Sequence, residues 1–253
     1  MDAVADRFIG RQTAPGSEWR RWLGAQSIPG VTAAELCDPR SRLVVVAPHP
    51  DDEILCCAGL MASHAATRGE VLVVSVTDGE ASHGTPDDRM ARRRRSESAA
   101  GLGQLGVEAA VLSLALPDGE VKGHAVALTS ALARLLGPTD TVVSTWQFDG
   151  HPDHEATGES VAHACAMAGC TMLAAPVWMW HWSRPGDPRV PWRDMVALSL
   201  SVPLREEKIR ALRRHGSQLE ERNNGEGPVL DDAIVARAAW PSEYFFRPRT
   251  IQP

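Results

Sequence analysis

The sequence predicts an α/β fold: a single three-layer domain with a mainly parallel, Rossmann-like sheet. Short apolar runs rich in β-type residues alternate along the chain with longer segments of helical character, which is the pattern of successive βαβ units. Two of these runs end in turns dense in histidine and carboxylate, at residues 48–53 and 149–155. In open parallel sheets, ligands bind where strands end and helices begin. We therefore expect the active site at the carboxyl-terminal edge of the strands.

The length and composition fit one large domain. The chain has 253 residues, of which 43% are hydrophobic, and this is ample for a buried core. We predict an N-terminal arm over residues 1–40 and one domain over residues 41–253. The arm contains a short helix near residues 17–23, and we expect it to pack on the domain or on a neighbouring subunit.

Charge and cysteine content exclude several classes of protein. The net charge of −6 gives no electrostatic reason to expect nucleic acid or an anionic membrane as a partner. No run approaches the roughly eighteen apolar residues of a membrane span, and the first residues lack the basic and apolar regions of a signal peptide. Five cysteines without CxxC spacing are typical of reduced core thiols. We predict a cytoplasmic protein.

The first half of the chain alternates strands and helices. Residues 44–47 are small and apolar, as in a strand buried on both faces, and Pro48 and Pro50 prevent the ladder from continuing. Residues 54–67 carry apolar side chains on most faces, as in a helix packed against a sheet. Similar patterns predict further strands at residues 71–76, 109–114 and 141–145, and helices at 87–105, 124–136 and 156–168.

The second half is less regular. Residues 176–182 alternate large apolar groups in the manner of a strand, either in the core or as one wall of a sugar-binding cleft. A loop rich in proline follows at residues 183–192. We then predict a strand at 196–202, one amphipathic helix at 204–219 and a short final strand at 243–246.

A glycine pattern within residues 101–106 matches the G-x-G-x-x-G of dinucleotide-binding proteins. In that fingerprint the glycines follow a strand and open a helix. Here they close a predicted helix and precede a strand. The context is reversed, so we interpret Gly106 as a helix stop and do not expect a nucleotide site.

The two polar turns suggest a metal site. His49 and Asp52 lie three residues apart across the first turn, and an imidazole with a carboxylate suits Zn²⁺ or a similar divalent ion. A third ligand should come from residues 149–155, because two parallel strands that end at one edge bring their loops together. Carboxylates at a helix start also serve as N-caps, but capping does not require histidines.

The motifs Pro48-His49-Pro50-Asp51-Asp52-Glu53 and His151-Pro152-Asp153-His154 resemble those of the PIG-L and LmbE-like family of zinc-dependent N-acetylglucosaminyl deacetylases. The likeness extends over residues 43–246. It implies removal of an acetyl group from an N-acetylated amino sugar or glycoconjugate by metal-activated water. The motifs do not identify the substrate.

The resemblance also implies roles for individual residues. The metal ligands are His49, Asp52 and His154, with Zn²⁺ expected and Fe²⁺ left open. Asp51 is the general base. His151 is a protonated imidazole that stabilises the oxyanion, and Asp153 orients it and raises its pKa. The substrate-binding candidates are Arg94, which precedes Glu97 by three residues in an arginine-rich helix, Asp118 and Asp149.

One departure from the family concerns residue 149. Some members carry a tyrosine two residues before His-Pro-Asp-His as an oxyanion donor, whereas this chain has Asp149, and its single tyrosine is Tyr244. We expect Asp149 to contact a substrate hydroxyl instead. A His-x-Ser-Gln element at residues 215–218 also resembles the family, and we expect it to support the site from behind.

Two alternatives for function remain open at this point. The same groups would hydrolyse another N-acyl substrate, such as a thiol conjugate or an acylated natural product. A sugar- or nucleotide-binding domain without catalysis is the contrasting class. The partner is expected to be a small molecule, and a homo-oligomer is left open. The metal hypothesis requires the ring nitrogens of His49 and His154 to lie within about 5 Å of each other.

Overall fold

A computed structural model describes residues 7, 9, 12–222 and 225–247. Eight strands of this part of the chain form one sheet: β1 (Gly30–Val31), β2 (Leu43–Ala47), β3 (Val71–Thr77), β4 (Ala110–Leu116), β5 (Thr141–Thr145), β6 (Thr171–Ala175), β7 (Met195–Ser199) and β8 (Ser242–Phe246). The α-helices are α1 (Gly16–Ala25), α2 (Ala33–Leu36), α3 (Asp52–Ala66), α4 (Asp88–Gln104), α5 (Ala125–Leu135), α6 (Pro152–Ala168), α7 (Met179–Trp182), α8 (Val202–Leu212), α9 (Gly216–Leu219) and α10 (Asp232–Ala238).

The sheet is mainly parallel and has the order β1-β7-β8-β6-β5-β2-β3-β4. Strand β8 alone pairs antiparallel with its neighbours among the described strands. The chain leaves β2 toward β3 on one side, and β5 pairs with β2 on the other. The strand order therefore reverses between β2 and β5, and this is where a crevice opens at the carboxyl ends of a doubly wound sheet.

Strand β2 explains why helices cover both faces of the sheet. All five of its residues are buried. Leu43 and Val45 pack with α3, α4, α8 and α10, whereas Val44 and Val46 pack with α1, α5 and α6. A strand that is apolar on both sides must be covered on both sides, so this alternation fixes the three layers. The predicted fold class is confirmed.

Two predictions for the second half were wrong. Residues 176–182 do not form a strand, because the chain is extended only at β6 and then turns into the short helix α7. The alternation of large apolar residues led to the wrong prediction, because alternating indole rings can be buried in a tight turn as well as in a strand. The predicted helix at 204–219 is two helices, α8 and α9, which are separated at residues 213–215.

The N-terminal segment is attached to the fold at several points. The Trp19 side chain on α1 is fully buried, and its indole N–H donates to the Trp180 carbonyl at 3.2 Å. Strand β1 pairs with β7 at the edge of the sheet. Residues 1–6 of the predicted arm and 248–253 of the predicted domain lie outside the described residues, and the boundary at residue 40 stays a prediction.

The glycine pattern behaves as a helix stop. Helix α4 ends at Gln104, and Gly106 has a φ of 67°, a left-handed conformation that glycine adopts without strain. The reversed context of the nucleotide fingerprint is therefore observed. In the described part of the chain, no helix is both long and apolar enough to cross a membrane.

Candidate active site and metal centre

The two polar turns meet at the switch point of the sheet. Residues 48–51 connect β2 to α3, and residues 146–151 connect β5 to α6. Because β2 and β5 are hydrogen-bonded neighbours in parallel register, their following loops lie side by side although about 100 residues separate them. Pro152 occupies the first helical turn of α6, where its fixed φ suits a helix start.

His49, Asp52 and His154 form a buried cluster of ligand atoms. His49 Nδ1 lies 3.3 Å from Asp52 Oδ2, and His154 Nε2 lies 3.3 Å from the same oxygen. The three ligand atoms lie within 4.8 Å of one another. The ring nitrogens of His49 and His154 are therefore within the distance of about 5 Å that the metal hypothesis requires. Two ligands about 2.1 Å from one tetrahedral ion would lie about 3.4 Å apart. The donor set and its spacing therefore fit a divalent ion such as Zn²⁺.

The second nitrogen of each ring is held by a carboxylate. His49 Nε2 lies 3.2 Å from Asp118 Oδ1 and 3.2 Å from Asp153 Oδ2. His154 Nδ1 lies 2.8 Å from Asp149 Oδ2. Carboxylates in this position fix the tautomer and orientation of metal-binding histidines. The arrangement leaves His49 Nδ1 and His154 Nε2 directed at Asp52.

The charges of the cluster shift one another's pKa values. Burial by itself would raise the pKa of Asp52, but the neighbouring His154 and His49 hold it well below its usual range. Burial opposes the charge of His154, yet Asp52 and the hydrogen bond that His154 donates to Asp149 raise its pKa to about 9. Without a cation, the two imidazoles thus tend to keep protons that compensate the carboxylates, and a bound cation would replace those protons.

Asp51 stands beside the cluster in a strained conformation. Its φ is 153° with ψ −25°, which is rare for a residue other than glycine. Arg94 Nη2 donates to Asp51 Oδ2 at 3.1 Å and to the Pro50 carbonyl at 3.2 Å. Burial raises the pKa of Asp51 to about 7, with the charge of Asp52 adding to the rise and Arg94 opposing it.

Arg94 reaches Asp51 across a glycine. Its Nη1 donates to the Gly79 carbonyl at 3.1 Å, and a Cβ at residue 79 would lie 2.0 Å from Nη1. Gly79 also has a φ of 66°. The turn after β3 therefore needs glycine for both conformation and space. The Arg94 guanidinium binds protein acceptors and borders the cavity, and its contact with a substrate stays a prediction.

His151 differs from the expectation of a protonated imidazole. Its Nδ1 accepts a hydrogen bond from the Asp153 N–H at 3.2 Å. Burial and the charges of the neighbouring His154 and His49 together lower the pKa of His151 to about 3. The geometry therefore favours a neutral ring with its hydrogen on Nε2.

The predicted role of Asp153 needs a correction. Its carboxylate accepts N–H groups from Gly119 at 2.8 Å and Val121 at 3.2 Å, and it contacts His49 Nε2. Its hydrogen bonds therefore orient His49 and not the His151 ring, although its charge does act to raise the pKa of His151 as predicted. The sequence placed Asp153 correctly at the site, but the helical turn of α6 directs its carboxylate away from the residue two positions before it.

Asp149 is not exposed to a ligand. Its side chain is fully buried, and both oxygens accept hydrogen bonds from protein groups. This corrects the expectation that it contacts a substrate hydroxyl. Asp118, by contrast, borders the cavity with Oδ1 near His49 and Oδ2 accepting the Ala81 N–H at 2.9 Å.

A cavity of about 200 Å³ opens above the cluster. Its walls include residues that the motifs did not indicate: Leu55, Ser82, Trp178, Arg222, Val229 and Leu230. Both interpretations of the tryptophan-rich segment apply, each to different residues. Trp178 lines the cavity, whereas Trp180 and Trp182 belong to the core. A wall of this kind suits the apolar face of a sugar ring.

The His-x-Ser-Gln element lies behind the cavity as expected. Ser217 donates its hydroxyl to Glu97 Oε2 at 2.5 Å, and Gln218 Nε2 donates to Ser217 Oγ at 2.9 Å. The side chains of His215, Ser217 and Gln218 are fully buried. Gln218 itself borders the cavity, and the sequence offered no signal for this beyond the motif.

Comparison with known proteins confirms the resemblance noted in the sequence. Residues 44–165 match the model of the PIG-L family, GlcNAc-PI de-N-acetylase, and this range contains both motifs. A probable N-acetyl-alpha-D-glucosaminyl L-malate deacetylase 2 of Bacillus anthracis is 25% identical over 215 residues, which cover 79% of this chain and 91% of the relative.

Solved structures share the fold at lower identity. The N,N'-diacetylchitobiose deacetylase of Pyrococcus horikoshii is 22% identical with a TM-score of 0.54, and 70% of each chain is covered. A deacetylase of teicoplanin biosynthesis is 19% identical with a TM-score of 0.58, covering 81% of this chain and 97% of its own. The 4-carboxy-2-hydroxymuconate hydratase GalB of Pseudomonas putida is 19% identical with a TM-score of 0.52, covering 84% and 99%. The fold is therefore shared by enzymes of different reactions.

Proposed function

We propose, from the match of residues 44–165 to the GlcNAc-PI de-N-acetylase family, that this protein is a metal-dependent hydrolase. It removes an acetyl or acyl group from the nitrogen of an amino sugar or glycoconjugate. The observation that carries the proposal is the convergence of His49, Asp52 and His154 on one point beside Asp51. The names of the relatives, which act on acetylated sugars and glycoconjugates, support the substrate class.

The three ligands leave room for catalysis. Two imidazoles and one carboxylate are one of the ligand sets of catalytic zinc sites, in which a fourth position stays open. A divalent ion held by His49, Asp52 and His154 would polarise an amide carbonyl and lower the pKa of a water molecule from about 15.7 toward 7. Zn²⁺ suits the ligands, and Fe²⁺ is a second candidate.

Asp51 is the proposed general base. A base works best when its pKa lies near the working pH, and the buried Asp51 carboxyl has a pKa of about 7. Arg94 holds the carboxylate on the cavity side of the α3 start. The strained backbone of Asp51 is consistent with a position imposed by function.

His151 is the proposed hydrogen-bond donor to the tetrahedral oxyanion, and Asp51 passes the proton that it takes from water to the leaving amine. Because His151 Nδ1 accepts the Asp153 N–H, the neutral ring carries its hydrogen on Nε2 and can donate it within the cavity. A neutral imidazole is sufficient for this role. It also compensates for the missing tyrosine before the second motif.

Substrate contacts are assigned to the cavity walls. Asp118 and Arg94 offer an acceptor and a donor for sugar hydroxyls, and Trp178 offers an apolar face. The identity of the group beyond the sugar is not encoded in these contacts. A thiol conjugate or an acylated natural product would use the same catalytic groups. The cytoplasmic location and a homo-oligomer both stay predictions.

Acetate release tests the proposal. A panel of N-acetylated amino sugars and glycoconjugates should include substrates from which the zinc-loaded protein releases acetate, and a chelator should abolish the release until Zn²⁺ is restored. A binding domain without catalysis would bind sugars and release nothing. Release of acetate that survives complete removal of the metal would contradict the proposed mechanism. A hydratase with this fold would consume unsaturated acids and leave the amides intact.

A further inference from the structure

Asp149 has an unusual set of partners for a residue in a loop. Its Oδ1 accepts the backbone N–H groups of Val177 and Met179, each at 2.9 Å. Its Oδ2 accepts the N–H of Trp178 at 2.9 Å and contacts His154 Nδ1 at 2.8 Å. One buried carboxylate therefore joins a candidate metal ligand to three consecutive amides of the turn between β6 and α7.

We propose that Asp149 is a positioning residue that couples the metal ligand His154 to the Trp178 wall of the cavity. The inference rests on the proposed metal site. Asp149 itself is fully buried and does not line the cavity, so it acts through His154 and Trp178. It sets the ring of His154 on one side and the turn that carries Trp178 on the other.

The first half of the coupling concerns the tautomer of His154. Oδ2 of Asp149 is an acceptor toward the Trp178 N–H, so the group it meets on His154 is a donor as well. A hydrogen on Nδ1 leaves the Nε2 lone pair free in the neutral ring. Nε2 is the atom that lies 3.3 Å from Asp52 Oδ2, where the ion would be bound.

The second half concerns the turn. Three successive N–H groups of residues 177–179 point to the same carboxylate, and a buried N–H without an acceptor costs free energy. The negative charge makes these hydrogen bonds stronger than those of a neutral acceptor. Trp178 borders the cavity from this turn, so its position depends on Asp149.

Asparagine weakens both halves in either orientation. If its amide nitrogen replaces Oδ2, the Trp178 N–H loses its acceptor, and His154 must move its hydrogen to Nε2, which blocks metal binding. If the amide nitrogen replaces Oδ1, the N–H groups of Val177 and Met179 lose their acceptor, and the neutral oxygen that remains holds the His154 Nδ1 hydrogen more weakly than a carboxylate does. The backbone carbonyl of Asp149 still accepts the Trp182 indole N–H at 2.8 Å, so the loop keeps one anchor.

Zinc alone is a sufficient probe for the first half. We expect Asp149→Asn to bind Zn²⁺ about 10 to 100-fold more weakly than the wild type in competition with a chelator. Asp140→Asn is the matched control. Asp140 is a buried carboxylate at the other end of β5, where it accepts the Gly137 N–H and pairs with Arg42. Its loss should change the zinc affinity by no more than about twofold.

Amide hydrogen exchange tests the second half on the same proteins. In zinc-loaded Asp149→Asn, at least one of the amides of residues 177–179 should exchange about tenfold faster or more than in the wild type. Those of Asp140→Asn should exchange at wild-type rates. A change in zinc affinity without faster exchange, or the reverse, overturns the coupling, and so does an equal loss of zinc affinity in Asp140→Asn.

A measurement on the wild type keeps the test decisive if the variant does not fold. Nitrogen NMR of the zinc-loaded protein should show His154 with its hydrogen on Nδ1 and the metal on Nε2. Metal on Nδ1 would overturn the inference. A wild type that binds no zinc would overturn the proposed metal site and this inference with it. Tight wild-type binding that is unchanged in Asp149→Asn would overturn this inference alone.

Discussion

Two networks of buried charged residues contact helix α3. They differ in whether every charged group has a fixed protein partner. At the start of α3, Asp51 and Asp52 meet the histidines at the edge of a cavity. Farther along the helix, Lys208 Nζ donates to Glu243 Oε1 at 2.8 Å and to the Leu55 carbonyl at 3.0 Å. The side chains of both networks are buried, and each network borders a cavity, of about 50 Å³ at Lys208 and Glu243 and about 200 Å³ at Asp51 and Asp52.

The Lys208 and Glu243 pair is closed. Glu243 also accepts the N–H groups of Gly59 at 2.7 Å and Leu60 at 3.0 Å. These amides follow Cys57, where α3 has non-helical φ and ψ, so the carboxylate supplies the acceptors that the interrupted helix lacks. Every charge in this network has a fixed protein partner.

The network at the start of α3 is open by contrast. His49 Nδ1 and His154 Nε2 each lie 3.3 Å from Asp52 Oδ2, and the Asp51 carboxyl has a pKa of about 7, far above that of an ordinary carboxylate. Buried charge alone therefore does not mark a functional site. Charge that converges without saturating its partners, next to a cavity, is the better indicator.

The largest expected effect comes from Asp51. Replacing it by asparagine should lower turnover by about 10² to 10⁴-fold, because the general base is lost. The zinc content should stay near one ion per chain, since Asp51 is not among the three converging ligands. Acetate release and metal analysis of the same sample check both statements.

Two results would contradict this assignment. Turnover of Asp51→Asn close to the wild type would show that another group takes the proton. Loss of zinc in parallel with turnover would place Asp51 among the ligands. Asp140→Asn, a carboxylate at the opposite edge of the sheet, should retain both turnover and zinc.

The closed network should affect stability and leave the chemistry intact. Lys208→Met leaves the Glu243 charge buried without its partner, and we expect the free energy of unfolding to fall by about 3–5 kcal/mol. Urea unfolding measures this change. Well below the unfolding midpoint, acetate release per folded molecule should stay close to the wild type.

The double variant Lys208→Met with Glu243→Gln sharpens the distinction. The glutamine oxygen still accepts an amide N–H from the interrupted helix, and no unpaired charge remains. We expect it to be more stable than the sum of the two single changes implies. Strict additivity would mean that the two side chains do not interact.

The sequence was sufficient for the fold class and for the meeting of the two motifs. The apolar run of β2 and the prolines after it indicate a buried strand and a sharp turn, and parallel strands bring distant loops to one edge. These features depend on local sequence pattern and on general rules of sheet topology. Both can be inferred from a single sequence.

The directions of the site's side chains could not be predicted from the sequence. Asp149 and Asp153 were correctly placed beside the site, but their carboxylates face His154 and His49 instead of a substrate or His151. Which partner a loop carboxylate chooses depends on the turn at residues 177–179 and on the amides of Gly119 and Val121. Those segments follow other strands of the sheet, so the spacing of residues within the motif cannot predict these contacts.

A smaller effect is expected where the closed network touches Gly59. A Cβ added there would lie 2.3 Å from Leu200 Cδ2 and 3.1 Å from Glu243 Oε2. Gly59→Ala should therefore destabilise the protein by about 1–3 kcal/mol through overpacking, despite the better helix propensity of alanine. Urea unfolding should show a lower midpoint.

Gly103 is the matched control for that change. It lies on the exposed face of α4, and a Cβ there would meet nothing within 4 Å. Gly103→Ala should stabilise the protein by about 0.5–1 kcal/mol. If both alanines shift the midpoint in the same direction, backbone propensity and not packing against Leu200 decides the effect at Gly59.

The smallest effect belongs to an ion pair that is exposed to solvent. Arg93 makes two hydrogen bonds to Glu220, at 2.7 and 2.9 Å, but both side chains are largely exposed. Glu220→Gln should lower the free energy of unfolding by less than about 1 kcal/mol, and the difference should vanish near 1 M salt, where charges are screened within about 3 Å. The Lys208→Met effect should persist at that salt concentration, because a buried pair is screened much less. If Glu220→Gln lowered the free energy of unfolding by several kcal/mol even at 1 M salt, burial would not be what distinguishes strong from weak ion pairs in this protein.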